Sequence, residues 1–384
     1  MKTDVAIVGA GLAGLALARA LRGLAVSLVA PERAAPPPQG WDARVYAITP
    51  GNAAFLADLR VWQALPAGRV APVRAMRVFG DDGAAVLEFD AYRAGTDALA
   101  WIVEDGRLRE ALWAALAGRD DLQVLAPAQC ARLRLDARRA LLDLEDGRGI
   151  EARLVVGADG ARSRVREQAG IAAADTPYAQ SAVVANFACA RGHGDTALQW
   201  FQGGPVLALL PLPGARVSMV WSVDEAQAAR LLALAPAALC REVARASGQA
   251  LGELELITAP RAFPLRRLAA RRTVAPRVAL AGDAAHVIHP LAGQGANLGL
   301  QDARALAAVL AGREPQRDPG EIGLLRRYER ARARDVLAMD ATVHGLYRLF
   351  GAAAGPAAGL RNAALNLADR LPVLKNLLIR QAIT

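Results

Sequence analysis

Near its start the chain reads Asp4-Val-Ala-Ile-Val8, followed directly by Gly9-Ala-Gly11-Leu-Ala-Gly14, and these eleven residues indicate the fold class. Apolar, β-branched runs of this length are typical of buried parallel strands. Residues 12–24 have helical periodicity, and residues 25–30 form a second apolar run. The order strand, glycine turn, helix, strand predicts an α/β fold with a parallel, Rossmann-like sheet.

The three glycines have the spacing of a dinucleotide-binding turn. Gly9 permits the tight turn, Gly11 lets the backbone approach a pyrophosphate, and Gly14 lets the helix pack on the strand. The unpaired N–H groups and the dipole at the helix N-terminus favour phosphate. Glu32 lies 18 residues after Gly14 and is the candidate for the ribose contact. The strand itself ends at Ala30, so a solvated loop glutamate is the alternative interpretation of Glu32.

Length and composition bound the remaining possibilities. The 384 residues are 54% hydrophobic, which excludes disorder and suggests two domains. The net charge is +9, and the only lysines are Lys2 and Lys375, so the basic residues are almost all arginine. Residues 324–384 hold nine arginines and Lys375 against four acidic residues, a net +6. Because no nucleic-acid-binding motif accompanies this charge, we expect no nucleic-acid partner.

The three cysteines and the N-terminus indicate the compartment. Cys130, Cys189 and Cys240 form no CxxC pair and no disulfide framework. We find no signal peptide and no uninterrupted apolar stretch of about 20 residues, so we expect a cytoplasmic protein. The arginine-rich C-terminal region also carries apolar residues, among them Leu360 and Leu371. This region could contact the inner membrane peripherally or bind other biosynthetic proteins. The alternative is that its helices simply pack on the rest of the protein.

The rest of the chain is predicted to alternate between helices and short strands. Helices are expected over 52–65, 107–116, 226–246 and most of the chain after Gln301. Strand patterns dominate 73–98 and 181–263, and Asp146-Gly147 predicts a hairpin.

Two further motifs carry chemistry. The first is Val155-Val-Gly-Ala-Asp159-Gly-Ala-Arg162-Ser163, and the second runs from Gly282-Asp283 through His286 and His289-Pro290 to Gly293-Gln-Gly295-Ala-Asn297. A strand that ends in Gly-Asp presents a carboxylate to sugar hydroxyls, and bare glycine N–H groups can face a flavin edge that becomes anionic on reduction. Asp283, His286 and His289 could alternatively hold a metal, but Pro290 and the glycines favour a loop against a flat cofactor, and we expect no metal.

Together these motifs resemble those of the flavoprotein aromatic hydroxylases, the group that includes para-hydroxybenzoate hydroxylase, in the same order along nearly the whole chain. The resemblance implies FAD as cofactor and NAD(P)H as a transient reductant, since a second GxGxxG is absent. It implies FAD contacts at Gly9, Gly11, Gly14 and Asp283, and places Asp159 and Arg162 in a structural or NAD(P)H-proximal position. The motif Asp42-Ala-Arg44 and the segment ending at Arg109 add two cations. The full set of expected cofactor contacts is Gly9, Gly11, Gly14, Glu32, Arg44, Arg109, Asp283, Pro290, Gly293, Gly295 and Asn297.

The order of predicted helices and strands along the chain also predicts the domain organisation. Residues 1–72, 98–180 and 264–323 would form a discontinuous FAD-binding domain, and residues 73–97 and 181–263 a sheet-based substrate domain. Residues 324–384 would form a helical C-terminal region.

Asp42-x-Arg44, His289-Pro-Leu-Ala-Gly-Gln-Gly and the C-terminal segment from Leu360 are similar to the branch of the family that acts in ubiquinone biosynthesis. This implies hydroxylation of a polyprenylated phenol through a flavin C4a-hydroperoxide formed after reduction by NAD(P)H. A base acting on the phenol could be His193, Tyr178 or His289, and the sequence selects none of them. Hydroxylation of a small soluble phenol, or a non-catalytic FAD-binding assembly subunit, are the alternatives.

Overall fold

The computed structural model describes residues 1–33, 35–80, 86–289 and 294–351. The strands are β1 Lys2–Val8, β2 Val26–Val29, β3 Val45–Ile48, β4 Val70–Val73, β5 Ala75–Phe79, β6 Val86–Asp90, β7 Ala100–Glu104, β8 Leu122–Leu125, β9 Cys130–Leu135, β10 Ala140–Leu144, β11 Gly149–Gly157, β12 Ala173–Cys189, β13 Thr196–Phe201, β14 Val206–Leu212, β15 Arg216–Asp224, β16 Leu254–Leu256, β17 Arg261–Ala270, β18 Val274–Ala275, β19 Val278–Leu280 and β20 His286–Val287.

The helices are α1 Leu12–Ala20, α2 Pro50–Asp58, α3 Ala91–Ala94, α4 Asp105–Ala114, α5 Arg164–Gln168, α6 Glu225–Ala233, α7 Pro236–Ala246, α8 Gly295–Ala311 and α9 Ile322–Gly351. Short 3-10 turns occupy Trp62–Ala64, Ala67–Arg69 and Gly282–Ala284.

A parallel sheet holds the opening motif, as the sequence predicts. Strand β1 lies between β2 and β11, and β8 and β19 extend the parallel part on either side. Because β1 is covered on both faces, Val5, Ile7 and their neighbours are buried. Residues of α1, α4, α8 and the start of α9 share one apolar core with this sheet. The predicted hairpin at Asp146-Gly147 joins β10 to β11 in antiparallel register, and Gly147 has a positive φ.

A second sheet has the strand order β20-β17-β12-β15-β14-β13-β5-β6, with β16 paired to β12. Helices α6 and α7 pack on one face of it and bury Phe187, Met219, Trp221 and Leu239. Its other face looks toward the nucleotide-binding side of the molecule. A small sheet of β3, β7 and β4 belongs to the material between the two large sheets. The expected domain boundary at 180/181 falls inside β12, and the one at 263/264 falls inside β17, so neither strand ends at an expected boundary.

Several helix predictions were wrong in extent. Helix α1 ends at Ala20, because Leu21 is already extended. Helix α2 ends at Asp58, and only a 3-10 turn follows in the region predicted to continue to Leu65. The single helix predicted over 226–246 is two helices, because Pro236 begins α7 and the residue before a proline avoids helical backbone angles.

The C-terminal part begins with α9, which is separated from α8 by the non-helical segment 312–321. The expected helical region 324–384 is therefore described only as far as 351, and Leu360 and Leu371 lie outside the described residues. Within the described ranges, no helix is long and apolar enough to cross a membrane.

Candidate functional site

The glycine turn between β1 and α1 leaves the first turn of the helix open. Gly9 has φ +110°, and a Cβ there would overlap the Ala158 carbonyl. A Cβ on Gly14 would overlap the carbonyl oxygen of Gly9, so helix and turn pack with no room for a side chain. A Cβ on Gly11, the residue that precedes the helix, would meet no protein atom within 4 Å. The backbone therefore presents N–H groups to open space, as a pyrophosphate site requires.

A cavity of about 1040 Å³ begins at this turn and continues to the free face of the second sheet. Expected cofactor contacts at its wall are Gly9, Gly11, Glu32, Arg44, Arg109, Asp283 and Gly295. Gly14 lies behind the turn, where it sets the packing of helix against strand. Glu32 is exposed on the loop after β2, and it lines the same cavity as Gly11. The structure thus brings together residues that are up to 286 positions apart in the sequence.

Arg44 is held at the wall by a cluster around Asp42. The Asp42 carboxylate accepts hydrogen bonds from the Arg44 backbone N–H (3.0 Å) and from Gly106 N–H (3.1 Å) at the start of α4. The Asp42 N–H donates to Glu104 (2.6 Å), which is buried and paired with Arg69 through two hydrogen bonds. In the Asp42-x-Arg44 motif, the Asp42 carboxylate therefore fixes the backbone of Arg44 within the loop.

The Arg44 guanidinium lies over two aromatic rings. Its distance to the ring centre is 5.4 Å for Tyr46 and 5.5 Å for Phe263. The Tyr46 hydroxyl donates to Asp105 (3.0 Å), and burial raises the pKa of this tyrosine. Arg109 also lines the cavity and lies 3.8 Å from Asp105. Two cations thus stand at one cavity wall, where anionic phosphates or a reduced flavin would be stabilised.

Asp283 stands on the 3-10 turn that follows β19. Asp283 is exposed into the cavity, and desolvation of its carboxylate by the surrounding protein raises its pKa. Among the described residues we find no hydrogen-bond donor to this carboxylate. Since the carboxylate opens into the cavity and can accept hydrogen bonds there, it fits a ligand hydroxyl such as those of a ribityl chain.

Below this turn lies a buried ionic network that no motif or spacing in the sequence indicated. Asp302 of α8 accepts hydrogen bonds from Gly282 N–H (2.9 Å), His286 Nε2 (2.7 Å) and Arg332 Nε (2.8 Å). All three of these side chains are nearly inaccessible. Burial alone would lower the pKa of His286, but the Asp302 carboxylate outweighs it and raises that pKa. Burial likewise opposes ionisation of Asp302, yet His286 and Arg332 hold its pKa below the usual value.

The Asp-Gly motif is a second support for the same turn. Asp159 accepts hydrogen bonds from the Ser163 hydroxyl (2.5 Å) and from Val165 N–H (3.1 Å), which shapes the start of α5. Arg166 of that helix donates to the Ala284 carbonyl (2.9 Å). Arg162 itself lines the cavity. Asp159 thus has a local structural function, and Arg162 faces the space open to a ligand.

The remaining expected contacts differ in their position. Gly295 begins α8 at the cavity wall. Asn297 is completely buried and lies outside the described cavity lining, because its amide bonds to Thr49 N–H (3.1 Å), Asn52 (3.0 Å) and the Ala47 carbonyl (2.8 Å). Pro290 and Gly293 lie outside the described residues. Asn297 therefore joins α8 to the segment after β3 instead of facing the cavity.

The three candidate bases also lie away from the described cavity lining. His193 Nε2 is within hydrogen-bond distance of the Leu212 and Gly214 carbonyls, at 2.9 and 2.8 Å. Tyr178 and His289 pack edge to face with their ring centres 4.9 Å apart. Burial lowers the pKa of His289 to about 4. Within the part of the chain that the structure describes, no group of His, Cys, Asp or Glu is arranged to hold a metal, and His286 is instead bonded to Asp302.

Comparisons with known proteins agree with this geometry. The family model described as "FAD binding domain" matches residues 2–341. A ubiquinone hydroxylase, UbiL, of Rhodospirillum rubrum is 37% identical over 383 residues, covering 99% of this chain and 89% of that protein. The 3-demethoxyubiquinol 3-hydroxylase of Escherichia coli is 36% identical, covering 99% and 98%. The crystal structure of PqsL of Pseudomonas aeruginosa in complex with 2-aminobenzoylacetate is 25% identical with a TM-score of 0.79, covering 95% and 99%.

Proposed function

The chain belongs to the FAD-binding-domain family, in the branch of the ubiquinone-biosynthesis hydroxylases, and from that premise we propose that it hydroxylates the aromatic ring of a polyprenylated phenol. It is an FAD-dependent monooxygenase that uses NAD(P)H as reductant. The observation that carries the choice of substrate is the cavity itself. One continuous space of about 1040 Å³ joins the dinucleotide turn to an apolar chamber on the second sheet, which suits a ring with a hydrocarbon tail.

The residues present fit FAD. Gly9, Gly11 and the start of α1 would hold the pyrophosphate, Glu32 the adenosine ribose, and Asp283 the ribityl hydroxyls. Arg44 and Arg109 would balance the phosphates and the charge that the flavin acquires on reduction. When bound, FAD supplies the transfer of hydride from NAD(P)H and the activation of oxygen.

The protein supplies position and exclusion of water. Arg44 is fixed by Asp42, and the turn carrying Asp283 is fixed by Asp302 from below and by Arg166 from the side. The chamber on the second sheet is lined mainly by aliphatic side chains, so a ring bound there would be shielded from bulk water. No base is assigned, because His193, Tyr178 and His289 all lie away from the described wall of the cavity.

We also propose that α9 contacts an anionic surface, either the inner membrane or a partner protein of the same pathway. Arg326, Arg330, Arg334 and Leu337 are exposed and are spaced by four, four and three residues, so they share one face of α9. Leu337 is 68% exposed. An arginine-rich helix face with an exposed leucine suits a headgroup layer, and a lipid-tailed substrate would reach the enzyme from such a layer.

The decisive experiment uses the purified protein loaded with FAD. It should be yellow, and it should consume NAD(P)H and O₂ and add one oxygen to a prenylated phenol, detected by mass spectrometry. Asp283→Ala is the matched variant: it should weaken FAD binding without lowering the stability of the FAD-free protein, because the carboxylate has no described hydrogen-bond donor to lose. Hydroxylation of only short, soluble phenols would favour the alternative substrate class, and tight FAD binding without NAD(P)H oxidation would favour an assembly subunit.

A further inference from the structure

The free face of the second sheet forms the far end of the cavity, and its chemistry is almost wholly apolar. Three cross-strand rows of side chains cover it, because alternate residues of β5, β6 and β12–β15 point to the same side. Aliphatic and aromatic residues make up most of the rows, among them Met76, Val78, Leu87, Val184, Leu210 and Val220.

Ser218 of β15 and Asn186 of β12 share this face by strand alternation but lie outside the cavity lining. The polar side chains of these strands that do line the cavity are Gln199 of β13 and Ser222 of β15. Both line the cavity, and they are only 6% and 4% exposed. Among the described residues, neither the Gln199 amide nor the Ser222 hydroxyl has a hydrogen-bond partner. An amide or hydroxyl that loses water when a ligand fills the cavity is destabilised unless the ligand offers it a hydrogen bond. Such a pair in an apolar chamber is therefore expected to receive its partners from the ligand.

The register of the sheet places the two groups relative to the cofactor end. Ser222 lies opposite Ala182, whose other neighbour, on β17, is Phe263. Phe263 is the ring against which the Arg44 guanidinium lies, so the row of Ser222 leads to the cofactor end.

Gln199 lies two strands from Ser222 and one row deeper. It is opposite Ala208 on β14 and Val78 on β5. The two Cα atoms are thus about 12 Å apart by strand geometry. The reach of the glutamine side chain leaves room between the two polar groups for one substituted ring.

We propose that Gln199 and Ser222 bind the oxygen substituents of the aromatic head group and so determine which rings the enzyme accepts. This inference rests on the proposed function, because it assigns two contacts to the substrate of that reaction. The Gln199 amide can donate to one oxygen or accept from a hydroxyl, and the Ser222 hydroxyl can do the same at the cofactor end of the ring. The aliphatic rows carry the hydrocarbon tail. A ring without oxygen would leave both groups unpaired, which makes the pair discriminate by chemistry rather than by size.

The test measures binding without turnover. The probes are a phenol with an n-octyl chain and n-octylbenzene, titrated into the FAD-loaded, oxidised protein while the flavin absorbance is followed. The natural protein should bind the phenol about 10-fold or more tightly than the hydrocarbon. Gln199→Leu, which keeps the volume and removes the amide, should reduce this ratio to about 3-fold or less, and Ser222→Ala should reduce it in part.

Val220→Ala is the control, because Val220 lies in the same row as Gln199 and contributes shape without polarity. It should weaken both probes equally and leave their ratio unchanged. If Gln199→Leu fails to retain FAD, the unbranched Gln199→Met replaces it. The proposal is overturned if the natural protein shows no preference for the phenol, or if both polar variants keep its full preference.

Turnover, measured separately, distinguishes this inference from the proposed function. If the protein prefers the phenol in a way that depends on Gln199 but does not hydroxylate it, the result supports ring recognition by Gln199 and contradicts the proposed reaction. Hydroxylation with a ratio that neither variant changes supports the reaction and contradicts the recognition.

Discussion

Replacing Arg332 by methionine should lower the free energy of unfolding of the FAD-free protein by about 3 kcal/mol. Arg332 is buried, and its Nε donates to the Asp302 carboxylate at 2.8 Å. Removing one partner of a buried pair leaves the other charge uncompensated, which typically costs about 3–5 kcal/mol. We expect the lower end, because His286 stays bonded to Asp302 at 2.7 Å and supplies a second cation.

The matched control is Asp335→Asn on the same network. Asp335 accepts from Arg332 at 2.9 Å, but its side chain is 60% exposed, so this pair should contribute less than about 1 kcal/mol. Urea unfolding of the FAD-free proteins at one pH, with the denaturant slopes compared, measures both changes. In the double variant Asp302→Asn with Arg332→Met, the loss should be smaller than the sum of the single losses, since neither charge is left alone.

Arg332→Met alone should also weaken FAD binding. Asp302 accepts from the Gly282 N–H and so orients the turn that carries Asp283, and freeing the carboxylate from Arg332 should loosen the contact proposed between Asp283 and the ribityl chain. Equal stability losses for Arg332→Met and Asp335→Asn would refute the reasoning, because they would mean that burial of the Asp302 charge has no energetic consequence.

Three further outcomes are expected. Gly14→Ala should destabilise the FAD-free protein by about 1–3 kcal/mol, because its Cβ would overlap the Gly9 carbonyl. Gly11→Ala should leave the free energy of unfolding unchanged and raise the Kd for FAD. A larger loss of stability for Gly11→Ala than for Gly14→Ala would contradict the assigned turn. His289 has a pKa of about 4 in the folded protein, below the unfolded value of about 6.5. The unfolded chain therefore binds the extra proton, and the free energy of unfolding falls by up to about 3 kcal/mol as the pH drops between those values. His289→Gln should remove this part of the pH dependence in urea unfolding, and an unchanged pH dependence would contradict the prediction. Replacing Arg326, Arg330 and Arg334 of α9 by serine should weaken binding to anionic vesicles, measured by flotation, by about 1 kcal/mol per charge removed. Binding to neutral vesicles should not change, and equal flotation of the natural and substituted proteins with anionic vesicles would contradict the surface contact.

Local sequence was sufficient for the nucleotide-binding end. The strand before Gly9, the helix after Gly11 and the packing requirement at Gly14 are all set by neighbours in the chain, so periodicity and glycine spacing predict them. Helix ends were predicted less well. Helix α1 ends before Leu21 although no proline or glycine occupies that position. Pro236 did indicate a helix boundary, but the sequence prediction continued one helix across it.

Contacts between distant segments could not be predicted. Nothing near Asp302 in the sequence indicates that it would accept from Gly282 and Arg332, which are 20 and 30 residues away. The motif around Asn297 predicted a cofactor contact, and it gave no indication that the side-chain amide bonds to Thr49 N–H and the Ala47 carbonyl. Which partner a buried polar group finds depends on how helices and strands pack, and that information is not local.

The amino-acid sequence alone was thus enough to predict the α/β fold, the dinucleotide turn and the family, because these depend on short-range spacing and on steric limits of the backbone. The packing of distant segments, by contrast, sets which of the expected cofactor contacts share one cavity, and it places Gln199 and Ser222 in the described lining of the apolar end. A strand pattern shows which residues alternate, but the register between strands decides which side chains meet on one face.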